Sequence, residues 1–212
     1  MEILVLLPVL FLSIILHEVA HGYVAYRLGD DTAYYSGRLT LNPLSHVDWI
    51  GTVGVPAVCW LFGWPLFGWA KPVPVNPRHF SSPRKDMGKV AFAGPAMNLA
   101  LAVLCAALLK TGLVAQVHLG QHTLAALVHI LQYGIFVNIF LGVFNLIPIP
   151  PLDGGRVLAA LLPVKKAVWY EHFIGQYGIW IVFALILTGV VKYILFPLAL
   201  LLVELLTKIF GL

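Results

Sequence analysis

Charged residues are scarce in this sequence. Of its 212 residues, 10% are charged and 60% are hydrophobic, whereas soluble domains carry about 25% charged residues. This composition excludes a soluble protein and indicates an integral membrane protein in a lipid bilayer. Almost the whole chain lies in apolar runs or in short connections between them, and no internal repeat is evident. We therefore expect a single membrane-embedded domain, 1–212, without a soluble second domain.

Cysteine is also scarce, and so are signs of a nucleic-acid partner. Cys59 and Cys105 both lie in apolar runs and suggest no disulfide framework. No nucleic-acid motif accompanies the net charge of +4. The cytoplasmic bias of Lys and Arg in membrane proteins explains that charge better, so we expect no nucleic-acid partner.

Long apolar runs, by contrast, dominate the chain. A membrane-spanning helix needs about 20 mostly apolar residues. The runs that meet this requirement are 3–27, 88–110, 123–147, 173–191 and 193–211. No small-residue cleavage site follows the first run, so we expect it to be a mature helix and not a signal peptide.

A further apolar run, 47–69, is interrupted by glycine and proline. It could be a re-entrant element buried against protein or a kinked sixth spanning helix. We favour the re-entrant element, because GRLTLNP (37–43) and KPVPVNP (71–77) could pair as a hairpin only on one side of the membrane. The predicted fold is an all-α polytopic membrane protein with about five transmembrane helices, a re-entrant segment and a small β-hairpin. The alternative is six transmembrane helices.

Basic residues cluster in the loops 70–89 and 148–172, which predicts that both loops are cytoplasmic. The connection 110–122 contains Lys110 as its one Lys or Arg and is expected on the opposite side. With five spans, the first helix then ends in the cytoplasm near Arg27.

The first apolar run contains the sequence HEVAH. His17 and His21 are four residues apart, so on a helix both imidazoles can reach one metal ion, and Glu18 is placed to accept a proton from metal-bound water. Helix-packing histidines are the alternative. Ionisable groups at the centre of a membrane cost about 2.5–3.5 kcal/mol when charged and mark functional sites, which favours the metal.

A catalytic zinc ion usually has three protein ligands, so HEVAH alone leaves the site one ligand short. Asp153 follows the 123–147 run within NLIPIPPLDGGR. The prolines there prevent an ordinary helix, and Gly154 and Gly155 permit a tight turn back into the protein. Asp153 is therefore the candidate third ligand, and the alternative is that it caps the next helix.

These motifs resemble those of the site-2 protease family of intramembrane zinc metalloproteases. The resemblance runs from about residue 13 to 156. It rests on HExxH in a transmembrane helix (17–21), AGPAMN (93–98), NLIPIPPLDGG (145–155), GRLTLNP and GWAKPVPVNP. The chain is most similar to short prokaryotic members, because no PDZ-like insertion separates the runs 88–110 and 123–147.

The resemblance implies one Zn2+ ion with a general base beside it. The implied ligands are His17, His21 and Asp153, and the implied base is Glu18. Asn98 and Asn145 match polar positions near the family's active site, where an amide could hold substrate or donate to an oxyanion; helix packing is the alternative for both.

The family cuts transmembrane segments of other proteins, commonly after another protease has removed the substrate's exterior domain. We therefore expect an intramembrane metalloprotease in the plasma membrane of a prokaryote, with its active site towards the cytoplasm. Its partners would be transmembrane protein substrates and an upstream protease. The main alternative is a membrane metal-binding or transport protein, which would more often show ligands on several helices and repeated halves. An inactive homologue is less expected, because Glu18 and all three ligands are present. The sequence does not determine the oligomeric state.

Overall fold

The structure is a computed structural model that describes the backbone of residues 2–63, 68–111 and 121–212. It describes the side chains of 7–63, 68–111 and 122–212. Within these ranges the chain forms helices and no strand. The α-helices are α1 Glu2–Arg27, α2 Thr32–Tyr35, α3 Val55–Leu61, α4 Pro83–Lys110, α5 Gln121–Asn145, α6 Asp153–Leu161, α7 Val164–Leu187 and α8 Phe196–Phe210. The 3₁₀ turns are Pro43–His46 and Pro77–His79, and the π-helical turns are Trp49–Gly54 and Val191–Leu195.

Among the described residues, five helices are long and apolar enough to cross a membrane: Leu7–Arg27, Pro83–Lys110, His122–Asn145, Val164–Leu187 and Val191–Phe210. The predicted all-α polytopic membrane fold is thereby confirmed. The α4 and α7 helices begin before the predicted runs, because their first turns contain charged residues that an apolar window leaves out. Most of the predicted exterior connection, 110–122, lies outside the described residues.

The run 47–69 returns to the place where it begins. Trp69 N–H donates to the carbonyl of Gly51 over 3.1 Å, and Thr52 Oγ1 donates to the carbonyl of Trp69 over 2.9 Å. Just outside the run, Lys71 N–H donates to the His46 carbonyl over 2.9 Å. Because both ends of the run meet, this arrangement agrees with a re-entrant segment and with five spans.

The predicted hairpin is not confirmed, because 37–43 and 71–77 contain no strand. Side chains form hydrogen bonds with backbone groups that a neighbouring strand would otherwise bind. Val73 N–H donates to Glu18 Oε2, Asn76 N–H donates to Asp30 Oδ2, and the Arg38 guanidinium donates to the Lys71 carbonyl. Proline further limits pairing, because Pro72 and Pro74 have no N–H to donate.

Helices α1, α4 and α5 pack together and form the centre of the molecule. Part of this packing is a cluster in which Ala102 and Ala106 of α4 lie against Ile135 and Ile139 of α5, with Ala199 of α8 beside them. Small residues allow membrane helices to approach closely. The close contact of α1 and α4 positions the polar residues described next.

Candidate metal centre

One helical face of α1 provides the two histidines. His17 and His21 are buried, with ring centroids 4.6 Å apart and an interplanar angle of 88°. Their Nε2 atoms are 3.0 Å apart. The helical spacing therefore directs both nitrogens to the same point, as the HEVAH spacing predicts.

Asp153 reaches that point because the chain folds back after α5. Gly155 packs against Pro150, where a Cβ would lie 2.6 Å from the proline nitrogen, and a Cβ on Gly154 would collide with the Leu146 carbonyl. This tight turn begins α6 at Asp153, whose Oδ2 lies 3.1 Å from His17 Nε2 and 3.3 Å from His21 Nε2. Asp153 does not cap α6, since the N-cap position is Leu152 and no side-chain cap bond forms.

The Nδ1 nitrogen of each imidazole, on the side away from the site, forms a hydrogen bond with the protein. His17 Nδ1 lies 2.6 Å from Asn98 Oδ1, and His21 Nδ1 lies 2.7 Å from the carbonyl oxygen of Val90. Both partners are acceptors, so each histidine carries its proton on Nδ1. When the rings are neutral, the two Nε2 atoms therefore direct lone pairs into the site.

These three atoms fit a zinc ion. Asp153 Oδ2 is buried and receives no hydrogen bond, and two lone pairs at 3.0 Å repel each other unless a cation lies between them. Zinc takes imidazole nitrogen and carboxylate oxygen at about 2.0–2.2 Å in a tetrahedron, which separates neighbouring ligand atoms by about 3.3 Å. The observed separations, 3.0–3.3 Å, agree with this geometry.

The electrostatics of Asp153 suit a metal ligand. Burial raises the pKa of its carboxyl, and the hydrogen bonds and positive charge of His17 and His21, when these rings are protonated, lower it by more, to about 2. The carboxyl is therefore ionised at neutral pH, as metal binding requires.

Glu18 is half-buried beside the histidines, and its Oε2 accepts the Val73 N–H over 2.9 Å. This bond attaches the segment 71–76 to the helix that contains both histidines. Glu18 is not a member of the ligand cluster, which consists of His17, His21 and Asp153.

The two candidate asparagines occupy different environments. Asn98 is fully buried, with Oδ1 against His17 and Nδ2 donating to Asn138 Oδ1 over 2.9 Å. Asn145 is half-buried, and its Nδ2 donates to the Leu141 carbonyl of its own helix. The structure brings Asn98 to the histidines; a substrate role for either amide remains a prediction.

Two further residues lie at the site to which the sequence assigns no functional role. Gly94 faces the imidazoles, and a Cβ there would lie 2.6 Å from His17 Cε1 and collide with His21 Nε2. Asn138 lies behind Asn98. The motif AGPAMN contains Gly94, but the need for an empty position there arises only from the packing of α4 on α1.

A second cluster of ligand-type side chains lies beyond the end of α1. It consists of Asp30, Asp31 and His79. Asp30 is fully buried and accepts hydrogen bonds from Thr32, Asn76 and His79. This cluster has no counterpart among the predicted site residues.

Comparison with known proteins identifies the family. Residues 110–189, which include Asp153, match the model of Peptidase family M50. YwhC of Bacillus subtilis, named as a zinc metalloprotease, is 40% identical over 89% of this chain and 82% of its own length. The chain belongs to Peptidase family M50. Membership confirms the predicted family, the metalloprotease class and zinc as the cofactor.

More distant M50 relatives are longer than this chain. Rip2 of Mycolicibacterium smegmatis, also named as a zinc metalloprotease, is 30% identical over 84% of the chain and 64% of its own length. Rip3 of Mycobacterium tuberculosis, named likewise, is 33% identical over 77% of the chain but 30% of its own length. No solved structure shows a significant match to the chain.

Proposed function

We propose that this M50 protein is an HExxH-type zinc metalloendopeptidase. Its substrates are membrane proteins, cut within or near their transmembrane segments. The observation that supports this proposal best is the convergence of two imidazole lone pairs and one carboxylate oxygen, all buried within 3.3 Å of one another. Three converging lone pairs are unfavourable without a cation, and one zinc ion can bind all three atoms.

In this proposal His17, His21 and Asp153 hold the ion and Glu18 is the general base. When bound, zinc polarises the scissile carbonyl and lowers the pKa of a water molecule. Glu18 takes a proton from the attacking water and returns it to the leaving amine. Its bond to Val73 N–H occupies Oε2, which orients the carboxylate and leaves Oε1 for the proton. Asn145 is assigned the weaker role of holding substrate backbone.

A transmembrane substrate must unwind before its peptide bonds can be attacked, since a helix hides them in its own hydrogen bonds. The segment 71–76 forms neither helix nor strand and is joined to Glu18 through Val73. An unwound substrate strand could bind along this segment through the main-chain groups that Glu18, Asp30 and Arg38 leave unbonded. Although 71–76 is not part of a hairpin, its location beside the base supports this role.

The proposed setting is the plasma membrane of a prokaryote. The basic residues of the loops 70–89 and 148–172 support a metal centre towards the cytoplasm, and in this proposal the whole chain, 1–212, acts as one domain. The enzyme would take part in regulated intramembrane proteolysis, after an upstream protease has shortened the substrate.

The decisive experiment is cleavage of a helix-destabilised model transmembrane substrate by the purified, zinc-loaded protein. Glu18→Gln should bind zinc as the wild type does but cleave about 10²–10⁴-fold more slowly, because the base is lost. Glu204→Gln is the matched control: Glu204 is an exposed carboxylate on α8, paired with Lys208, and its loss should leave cleavage unchanged.

Two results would contradict the proposal. Equal cleavage by wild type and Glu18→Gln would show that Glu18 is not the base. Zinc uptake into liposomes by the wild type, without cleavage of any model substrate, would instead support the transport alternative.

A further inference from the structure

A chain of buried polar side chains connects His17 to the interior of the helix bundle. It consists of Ser13 and His17 on α1, Asn98 on α4 and Asn138 on α5. Ser13, Asn98 and Asn138 are 3%, 0% and 2% exposed. Buried amides are costly unless every polar atom is bonded. The partners of each buried amide therefore show which way its oxygen and its nitrogen point.

The deep end of the chain fixes the orientation of Asn138. Ser13 Oγ donates its one proton to the Val9 carbonyl over 2.8 Å, so towards Asn138 it can only accept. Asn138 Nδ2 donates to Ser13 Oγ and to the Gly134 carbonyl, each over 2.9 Å. Both neighbours of Nδ2 require a donor, and Asn138 must therefore direct Oδ1 towards α4.

The same reasoning fixes Asn98. Its Nδ2 donates to Asn138 Oδ1 over 2.9 Å and, more weakly, to the Ser13 carbonyl over 3.4 Å. Asn98 must therefore direct Oδ1 at His17 Nδ1, 2.6 Å away. An oxygen at that place accepts a hydrogen bond, so the proton of His17 is on Nδ1 and the lone pair is on Nε2.

We propose that Asn138 is a positioning residue for the metal centre. By orienting the Asn98 amide, Asn138 keeps His17 in the tautomer whose Nε2 binds zinc, although Asn138 contacts neither the ion's ligand atoms nor substrate. His21 needs no such relay, since the Val90 carbonyl can only accept. The inference rests on the proposed role of His17 as a zinc ligand.

Two variants of similar size test the proposal. Asn138→Leu removes the acceptor for Asn98 Nδ2, which allows the Asn98 amide to rotate and direct Nδ2 at His17. Loss of a partner behind a metal-binding histidine weakens metal affinity by about 10–100-fold, and we expect at least the lower value. Asn138→Asp retains an acceptor oxygen towards Asn98 whether or not it is protonated, and should bind zinc within about threefold of wild type. Zinc affinity is measured by competition with a chelator in the purified, full-length protein.

The tautomer itself is measured in the zinc-free protein by nitrogen NMR of labelled histidine, with His17→Gln used for assignment. At alkaline pH, once the spectra show a neutral His17 ring, the wild type and Asn138→Asp should have the His17 proton on Nδ1. A wild-type proton on Nε2 overturns the proposal. This measurement also decides the case in which Asn138→Leu does not fold.

The affinity results separate the two proposals. Wild-type zinc affinity in Asn138→Leu, or an equal loss in the Leu and Asp variants, overturns the positioning role alone. A wild type that binds no zinc overturns the proposed function, whereas the NMR result still tests how the relay orients His17.

Discussion

Two clusters of histidine and aspartate lie on either side of the end of α1, and they differ in one respect. In the first, Asp153 Oδ2 is buried without a hydrogen bond, and the Nε2 atoms of His17 and His21 face it. In the second, Asp30 accepts hydrogen bonds from two backbone N–H groups and two side chains. The residue types are the same, but the buried carboxylate is matched by hydrogen-bond donors in the second cluster only.

The difference shows how a metal site can be distinguished from a structural ion pair. In the first cluster three acceptors converge, which costs free energy until a cation arrives. In the second cluster the Asp30 carboxylate is matched by donors, and it joins the end of α1 to the segment 71–79. Proximity of ligand-type residues is therefore insufficient, and the surplus of acceptors is what supports the first cluster as the proposed metal site.

Of the changes that test this difference, loss of Asp153 should have the largest effect on zinc binding. Asp153→Asn removes an anionic ligand, so zinc affinity should fall by more than the roughly 100-fold upper value for residues behind a ligand, and cleavage should be lost. Zinc content after dialysis against a chelator measures the effect. Asp31→Asn, in the second cluster, is the control and should retain zinc; retention of zinc by Asp153→Asn would contradict the assignment.

A methyl group inside the first cluster should have the next largest effect. In Gly94→Ala the new Cβ collides with His21 and lies 2.6 Å from His17 Cε1, so both imidazoles must move and zinc affinity should fall at least tenfold. Overpacking of this kind costs about 1–3 kcal/mol. The matched control is Gly142→Ala, whose Cβ would make ordinary contacts of 3.5–3.7 Å. Equal zinc affinity in both variants would show that the imidazoles have room to adjust.

The second cluster should affect stability and not metal binding. In the wild type, backbone and side-chain donors point at the Asp30 carboxylate. Asp30→Asn puts an amide N–H, itself a donor, in front of some of them, at a cost of about 1–3 kcal/mol. Thermal unfolding in detergent should shift downwards, while zinc stoichiometry stays at the wild-type value. A loss of zinc comparable to that of Asp153→Asn would remove the distinction between the two clusters.

Low pH should destabilise the protein through the second cluster, and this is the smallest of the expected effects. Burial raises the pKa of Asp30, but hydrogen bonds from Thr32, Asn76 and His79 lower it by more, so the pKa is below its usual 3.8. Because the folded pKa is depressed, the stabilisation is complete above the unfolded pKa and is lost as pH falls through the folded pKa. Zinc-free wild type should therefore lose stability below about pH 4 more steeply than Asp30→Asn. Parallel stability curves for the two proteins would contradict this expectation.

Much of the fold followed from composition and periodicity. The apolar runs correctly predicted five spanning helices, because the length of a spanning helix is set by the thickness of the bilayer. The hairpin at 37–43 and 71–77 was predicted from turn signals alone. Those signals cannot show that the Glu18 and Asp30 carboxylates and the Arg38 guanidinium bind the backbone groups of 71–77.

The sequence by itself determined which residues could bind a metal. HEVAH fixes two imidazoles on one helical face through local geometry, and the prolines and glycines around Asp153 require a turn after α5. The contacts of α1, α4 and α5 decided the empty position at Gly94 and the orientation of Asn98 by Asn138, and Asn76 and His79 decided the saturation of Asp30. These features depend on atoms that are distant in sequence and are brought within a few ångströms by packing, so no local pattern encodes them.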